Sequence, residues 1–283
     1  MAELTRESWS KRSYFIFAAL GSAVGLGNLW RFPYLCYANG GGAFIVAYVI
    51  GLFVIGIPWL VVEFGMGKYF ASSAPGVFGG IGKKWEWLGW WPVWVAFLIN
   101  TYYTVVMAWT LRYAVASATV EWGIGKAGAE GASDFFFGKV LQLSGGPAEI
   151  GAPVPSLLIG LAIIWVVVFL VVFKGAKVIG PVSQVVMIVA WTFLAILVVR
   201  GITLPGAAQG LNNYLETDWS KLASPDIWFG AFSQIAFSLS VGMAGMYAYG
   251  SFIKKNADVN NSAFITGFGD AATSFFAGFA VFS

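Results

Sequence analysis

Seven long apolar stretches dominate the chain: about Tyr14–Tyr37, Ala43–Gly67, Trp87–Ala118, Leu157–Phe173, Val178–Val199, Ile227–Phe252 and Ser262–Ser283. Each approaches the roughly 20 residues a helix needs to cross a bilayer. Lipid offers backbone N–H and C=O groups no partner, so spans of this kind must be helical. Charged residues make up only 10% of the 283 residues, against about a quarter in soluble domains. The expected fold class is therefore all-α and membrane-embedded, with about seven transmembrane helices in one domain over residues 1–283. With no histidine and one cysteine, Cys36, the chain has no His-ligated metal site, no His proton relay and no internal disulfide. No soluble catalytic constellation stands out. Gly79–Lys84 lacks the spacing and the hydroxyl of a phosphate-binding loop, and Leu143–Gly146 sits in a connecting loop.

Lysine and arginine set the expected orientation. An N-terminus inside puts Arg6, Lys11, Arg12, Lys68, Lys83, Lys84, Lys174, Lys177, Lys254 and Lys255 on the inner side. It leaves Lys126, Lys139, Lys221, Arg112 and Arg200 outside, ten against five. The expected location is the plasma (inner) membrane with a cytoplasmic N-terminus. The Gly-, Ala- and Pro-rich stretch Glu121–Pro155 is then the longest outer connection.

Two apolar spans contain residues that a plain membrane helix tolerates poorly. The first, Gly21-Ser22-Ala23-Val24-Gly25-Leu26-Gly27-Asn28-Leu29-Trp30-Arg31-Phe32-Pro33, holds three glycines within seven residues, each costing about 1 kcal/mol of helix propensity relative to Ala. It also holds a charged Arg31, at ~3 kcal/mol on insertion scales. The second, Gln234–Gly245, is diluted by serines and glycines. Small-residue packing stripes are one account of both. The other is a pair of discontinuous helices, one and six, whose freed main-chain groups face a shared site near mid-membrane in an inverted repeat. Five helices of one repeat would then be followed by the start of its inverted partner.

Arg6-Glu7-Ser8-Trp9, the Gly21–Pro33 run, Asn39-Gly40-Gly41-Gly42-Ala43-Phe44, Pro58 with Glu63-Phe64-Gly65-Met66-Gly67, Tyr102-Tyr103 and the helix-six block together resemble the neurotransmitter:sodium symporter family in its bacterial-like form. The resemblance covers nearly the whole chain. Broken helices are the recorded architecture of that family, so the two lines of reasoning are not independent. The family core has about ten helices, and the resemblance therefore implies a C-terminally truncated member.

The resemblance implies sodium-coupled amino-acid symport by alternating access, with no enzymatic activity. A first sodium ion would be held by the carbonyl of Ala23 and the side chains of Asn28, Ser238 and Asp270. Carbonyls of Gly21 and Val24 would form half of a second sodium site. The substrate pocket would be lined by Ser22, Ala23, Leu26, Gly27, Ile99, Tyr103, Phe237, Ser238, Ser240 and Met243. The Tyr103 hydroxyl and the amides of Leu26 and Gly27 would hold a carboxylate, since exposed half-helix amides favour an anion. Gly25 stands where monoamine carriers have Asp, leaving room for that carboxylate. Ile99, Phe237 and Met243 suggest a bulky apolar or aromatic substrate such as Leu, Tyr or Trp. Arg31 would gate the outer side, Arg6 and Trp9 the inner, and Glu63 would support the unwound part of helix six.

Most family members carry Asn where this chain has Asp270. Chloride-requiring members hold the anion at positions matching Tyr48, Gln234, Ser238 and Ser274. A carboxylate at Asp270 is expected to replace that charge, so chloride is not expected to be required. The expected partners are a small amino acid and the lipid bilayer, not nucleic acid, with a homo-oligomer left open. A non-transporting fragment, an amino-acid sensor and a partner subunit are the competing readings.

Overall fold

The computed structural model describes residues 7–146, 148–149, 151–254 and 256–283. Arg6, expected at the inner gate, and Lys255 lie outside them. Among the described residues all regular structure is helical, apart from an isolated backbone bridge between Gly41 and Thr217. Five helices are long and apolar enough to span a bilayer: Gly42–Phe70, Lys83–Thr119, Pro155–Val172, Ala176–Ile202 and Val259–Phe282. A bent pair, Arg12–Ala23 and Gly27–Ala38, makes six if it counts as one span.

The stretch Ile227–Phe252 is discontinuous, as expected of helix six: it folds as two shorter helices, Pro225–Ser238 and Gly245–Ser251, neither long enough to cross alone. The connection Glu121–Pro155 also carries a helix, Gly125–Asp134, and a π-helical turn, Phe135–Val140.

In chain order the helices are α1 (Arg12–Ala23), α2 (Phe32–Ala38), α3 (Gly42–Gly51), α4 (Ile57–Phe70), α5 (Ala74–Ile81), α6 (Glu86–Thr119), α7 (Gly125–Asp134), α8 (Pro155–Val172), α9 (Ala176–Ile202), α10 (Ala207–Leu215), α11 (Pro225–Ser238), α12 (Gly245–Ser251) and α13 (Val259–Phe282). Wider five-residue turns, Gly27–Arg31 and Leu52–Gly56, join α1 to α2 and α3 to α4.

The described residues group into two compact units. One comprises those of 7–96 with Lys174–Ser283, the other Phe97–Phe173. In the smaller unit, Gly160 of α8 lies against Ala108 of α6. Near the C-terminal end of α6, Arg112 donates to both carboxylate oxygens of Glu121, at 3.3 and 2.8 Å. Tyr113 stacks on Trp122 beside it, ring centroids 4.8 Å apart.

The larger unit holds the main core. Phe15, Ala18 and Ala19 of α1, Phe44, Ala47 and Tyr48 of α3, Leu60 and Phe64 of α4, and Ile227, Ala231 and Ile235 of α11 are all buried in it. One close seam is α4 against α12. A Cβ at Gly67 would overlap the Tyr247 carbonyl, and one at Gly250 would lie 2.7 Å from that of Phe64. Membrane helices without a hydrophobic drive between them rely on such close backbone approach.

Candidate functional site

The first break begins at Val24, which leaves the helical region (φ −77°, ψ 116°) after its N–H closes the last bond of α1 on Leu20, at 2.7 Å. The chain re-enters a helix only at Gly27. The second begins after Ser238. Ser240, Gly242 and Ala244 take φ of 53°, 74° and 61° before α12 starts at Gly245. Two of these three have side chains, and left-handed conformations there cost of order 1–3 kcal/mol each. Surrounding contacts must hold them.

Those contacts run from each break to the other. The Ser240 hydroxyl donates to the Ser22 carbonyl at 2.8 Å. The Gln234 amide donates to the Gly27 carbonyl at 2.9 Å. Glu63 of α4, fully buried, accepts the Gly242 N–H at 2.7 Å.

Between the breaks lies a buried polar cluster. Asn28, Ser238, Asp270 and Ser274 are each at most 2% exposed. The Asn28 amide nitrogen has the Asp270 carboxylate at 2.7 Å, the Ser274 hydroxyl at 2.7 Å, the Ser238 hydroxyl at 3.0 Å and the Asp270 carbonyl at 3.2 Å. The Asn28 side-chain oxygen accepts the Gly25 N–H at 2.8 Å. Ser238 donates to Asp270 (2.9 and 2.8 Å to its two oxygens), and the Tyr48 hydroxyl lies 3.5 Å from Oδ2. Four hard oxygens thus converge on one point with a single carboxylate among them. Among the described residues no group of three or more His, Cys, Asp or Glu side chains is placed to hold a metal. One carboxylate among neutral oxygens suits a monovalent cation, whereas multivalent ions gather several.

Ala23 is buried at the end of α1 beside the cluster's break. Gly21, two residues earlier, faces Ser183 and Met187 of α9. Leu26 caps the Gly27–Arg31 turn, and Phe237 lies against Gly27. The Met243 carbonyl accepts from Gly245 N–H at 2.8 Å. Ile99 and Tyr103, one turn apart on α6, belong to the other unit.

Arg31 donates to Gln234 at 2.6 Å and Ser233 at 3.2 Å, and its guanidinium lies 5.6 Å from the Phe237 ring centroid. Among the described residues it makes no salt bridge. Trp9 is buried, with its indole N–H on the Tyr249 carbonyl at 3.0 Å and its main-chain N–H on that of Phe252, also at 3.0 Å. Sequence reasoning missed Ser233 and the double engagement of Gln234. A glutamine inside an apolar span was the available signal.

Two interrupted helices meeting at a buried cluster of oxygen donors, inside a multispanning helical membrane protein, define the class of secondary transporters. The model of the sodium:neurotransmitter symporter family matches residues 6–130 and 124–283, and the chain belongs to that family. An uncharacterized sodium-dependent transporter of Methanocaldococcus jannaschii is 40% identical over 283 residues, covering 100% of this chain and 56% of the relative. The human sodium- and chloride-dependent creatine transporter 1 is 37% identical over 311 residues, 98% of this chain and 49% of the relative. The bovine sodium- and chloride-dependent GABA transporter 2 is 35% identical over 305 residues, 99% and 51%. The chain spans about half the length of these relatives. The family's members are transporters, not enzymes.

Proposed function

We propose that the chain carries the ion- and substrate-binding core of a sodium-coupled amino-acid symporter that works by alternating access. The observation that supports this best is the set of oxygens from Ser238, Asp270 and Ser274 gathered round the Asn28 amide, between the two breaks. The Asn28 side-chain oxygen, which accepts the Gly25 N–H at the same break, and the Ala23 carbonyl would complete the first sodium site. Gly21 and Val24 carbonyls would supply part of a second.

The substrate carboxylate would sit against the amides of Leu26 and Gly27. Its side chain would lie by Phe237 and Met243, with Ser22 and Ser240 as polar neighbours. A bulky apolar or aromatic amino acid is the proposed substrate. Arg31 would gate the outer side and Trp9, with Arg6, the inner. Glu63 would hold the unwound segment of helix six through Gly242. The Lys and Arg distribution supports a cytoplasmic N-terminus in the plasma membrane.

Chloride is proposed to be dispensable. Three of the four positions that would hold it, Tyr48, Ser238 and Ser274, lie against Asp270 or Asn28, and the fourth, Gln234, bonds Arg31 and Gly27. Binding of sodium and substrate then favours one of two arrangements only through its differential affinity for them.

The test is uptake of radiolabelled leucine, tyrosine and tryptophan into proteoliposomes under an inward sodium gradient, with potassium and gluconate replacements. Sodium-dependent uptake that survives gluconate is expected. Uptake indifferent to sodium overturns symport, and loss in gluconate overturns chloride independence. Sodium-dependent binding without uptake favours a sensor or partner subunit.

A further inference from the structure

The segment following α9 is built into two neighbours at once. α10 starts after Gly206 and turns Ala207 and Tyr214 inward, while Gln209, Asn212 and Asn213 face out. Tyr214 is fully buried against α13. Its ring stacks on Phe282 (centroids 5.0 Å apart, 19° between planes) and meets Phe279 edge-on at 6.0 Å. Its hydroxyl donates to the Phe275 carbonyl at 3.3 Å. Gly278 admits this ring, since a Cβ there would overlap it.

The other face of the segment holds the hairpin between α2 and α3. Gly42 N–H donates to the Glu216 carbonyl and Asp218 N–H to the Gly40 carbonyl, each at 3.3 Å. Gly41, at φ +59°, pairs with Thr217, and a Cβ on it would overlap the Glu216 carbonyl. Beneath lies Cys36, fully buried, its thiol donating to the Gly41 carbonyl at 3.3 Å and lying 3.7 Å from that of Tyr214.

The two elements joined in this way carry the oxygen cluster. Cys36 lies two turns beyond Asn28 on the outer half of helix one, and Phe275 adjoins Ser274 on α13. The outer half-helix, the turn Gly27–Arg31 continued by α2, has only twelve residues, Gly27–Ala38, and is severed from α1 by the break. Helices that short are marginal alone, so the direction of α2 is set by what grips it rather than by α1.

We propose that Tyr214 is a positioning residue. The segment Ala207–Asp218 is an outer strap that fixes α2 and α13 to each other, so that the oxygens of Asn28, Asp270 and Ser274 converge on the cation. This rests on the sodium-site reading above. The strap does not touch the ion. It acts through the elements that do.

Cys36 is the only cysteine in the sequence, so its reaction with a maleimide reports whether the strap is seated. In the unaltered protein, saturating sodium should slow Cys36 labelling several-fold relative to choline at equal ionic strength. No effect of sodium overturns the proposal without need of any variant. In Tyr214→Ala, labelling should accelerate. The sodium concentration needed for a given thermal stabilisation should rise about tenfold, within the usual range of couplings between sites. Tyr214→Phe, which keeps the ring, should restore both. A Tyr214→Ala protein that exposes Cys36 with an unchanged sodium requirement overturns the positioning role and leaves only packing. Asp270→Ala separates the two readings: if it keeps full sodium dependence, the sodium site itself is misassigned, whatever the strap does.

Discussion

Asp270→Asn isolates the charge of the cluster from its shape. Asparagine has the same outline, and its oxygen can still accept from the Asn28 amide where Asp270 Oδ1 does at 2.7 Å. Its NH2 can donate to Ser238, whose hydroxyl now donates to both carboxylate oxygens. What is lost is one negative charge about 4 Å from a bound cation. Coulomb's law at an effective dielectric of about 20 puts an upper bound of about 4 kcal/mol on that attraction. Removing the carboxylate also removes its desolvation cost, and charged hydrogen bonds contribute about 1.5–3 kcal/mol net. A loss of about 1.5–3 kcal/mol corresponds to a roughly 10–100-fold weaker sodium affinity. The assay is thermal stabilisation of the purified protein across a sodium titration, with choline holding ionic strength constant. Asp270→Asn should need that much more sodium, and added chloride should recover part of the loss. A midpoint within about twofold of the unaltered protein, less than 0.5 kcal/mol, refutes the charge argument.

Glu63→Leu leaves the Gly242 N–H, now bonded at 2.7 Å, without its acceptor. It should lower stability by about 1–3 kcal/mol, with Glu63→Gln much closer to the unaltered protein in a melting curve. Gly67→Val places a side chain where Tyr247's carbonyl stands and should prevent the α4–α12 seam from closing, seen as aggregation on size-exclusion chromatography in mild detergent. Arg31→Lys replaces a fork that reaches both Gln234 and Ser233 with a point charge. It should raise the rate at which bound radiolabelled substrate leaves to the outside, without changing the melting temperature by more than a few degrees. Equal release rates count against Arg31 as the outer gate.

The helix-one break was legible because its cost is written in residue types. Glycines, an asparagine and an arginine in one apolar span have no reason to be there unless the backbone is open. Glu63 was legible on the same ground, as a carboxylate inside an apolar span, and Asp270 through the resemblance, as a carboxylate where the family has Asn. The break in α11–α12 was legible as serines and glycines diluting an apolar span, but its backbone geometry was not, since hydropathy does not register φ. Ser240 and Ala244 adopt left-handed conformations that no propensity favours in a side-chain-bearing residue, because tertiary bonds impose them. The Arg31–Gln234 pair is 203 residues apart in sequence, and nothing local announces it. Tyr214 was invisible for the opposite reason. It lies in a polar connection whose Gly and Asn content reads as a loop, and its importance comes from the space that a distant glycine leaves on α13.

A bilayer interior makes an open helix expensive unless every freed group finds a partner, and the two breaks here are partners for each other. Ser240 takes the Ser22 carbonyl, Gln234 takes that of Gly27, and the Asn28 amide draws on Ser238 at the end of α11. Neither break is satisfied alone, so neither half-helix can swing without unmaking bonds of the other. That reciprocity gives a cation a purchase on the whole arrangement. An ion held by Asn28, Ser238 and Asp270 would be bonded to both broken helices and to α13 at once, and it would favour the arrangement in which all three are close. Hydrogen bonds between neutral groups across membrane helices contribute only about 0.6 kcal/mol on average, too little to fix three elements firmly. A full charge among them contributes more, and its departure leaves a buried carboxylate with only neutral donors. The physical case for sodium as the coupling ion is therefore that Asp270 is fully buried and makes no salt bridge among the described residues, a cost that a bound cation offsets in one conformation and not in the other.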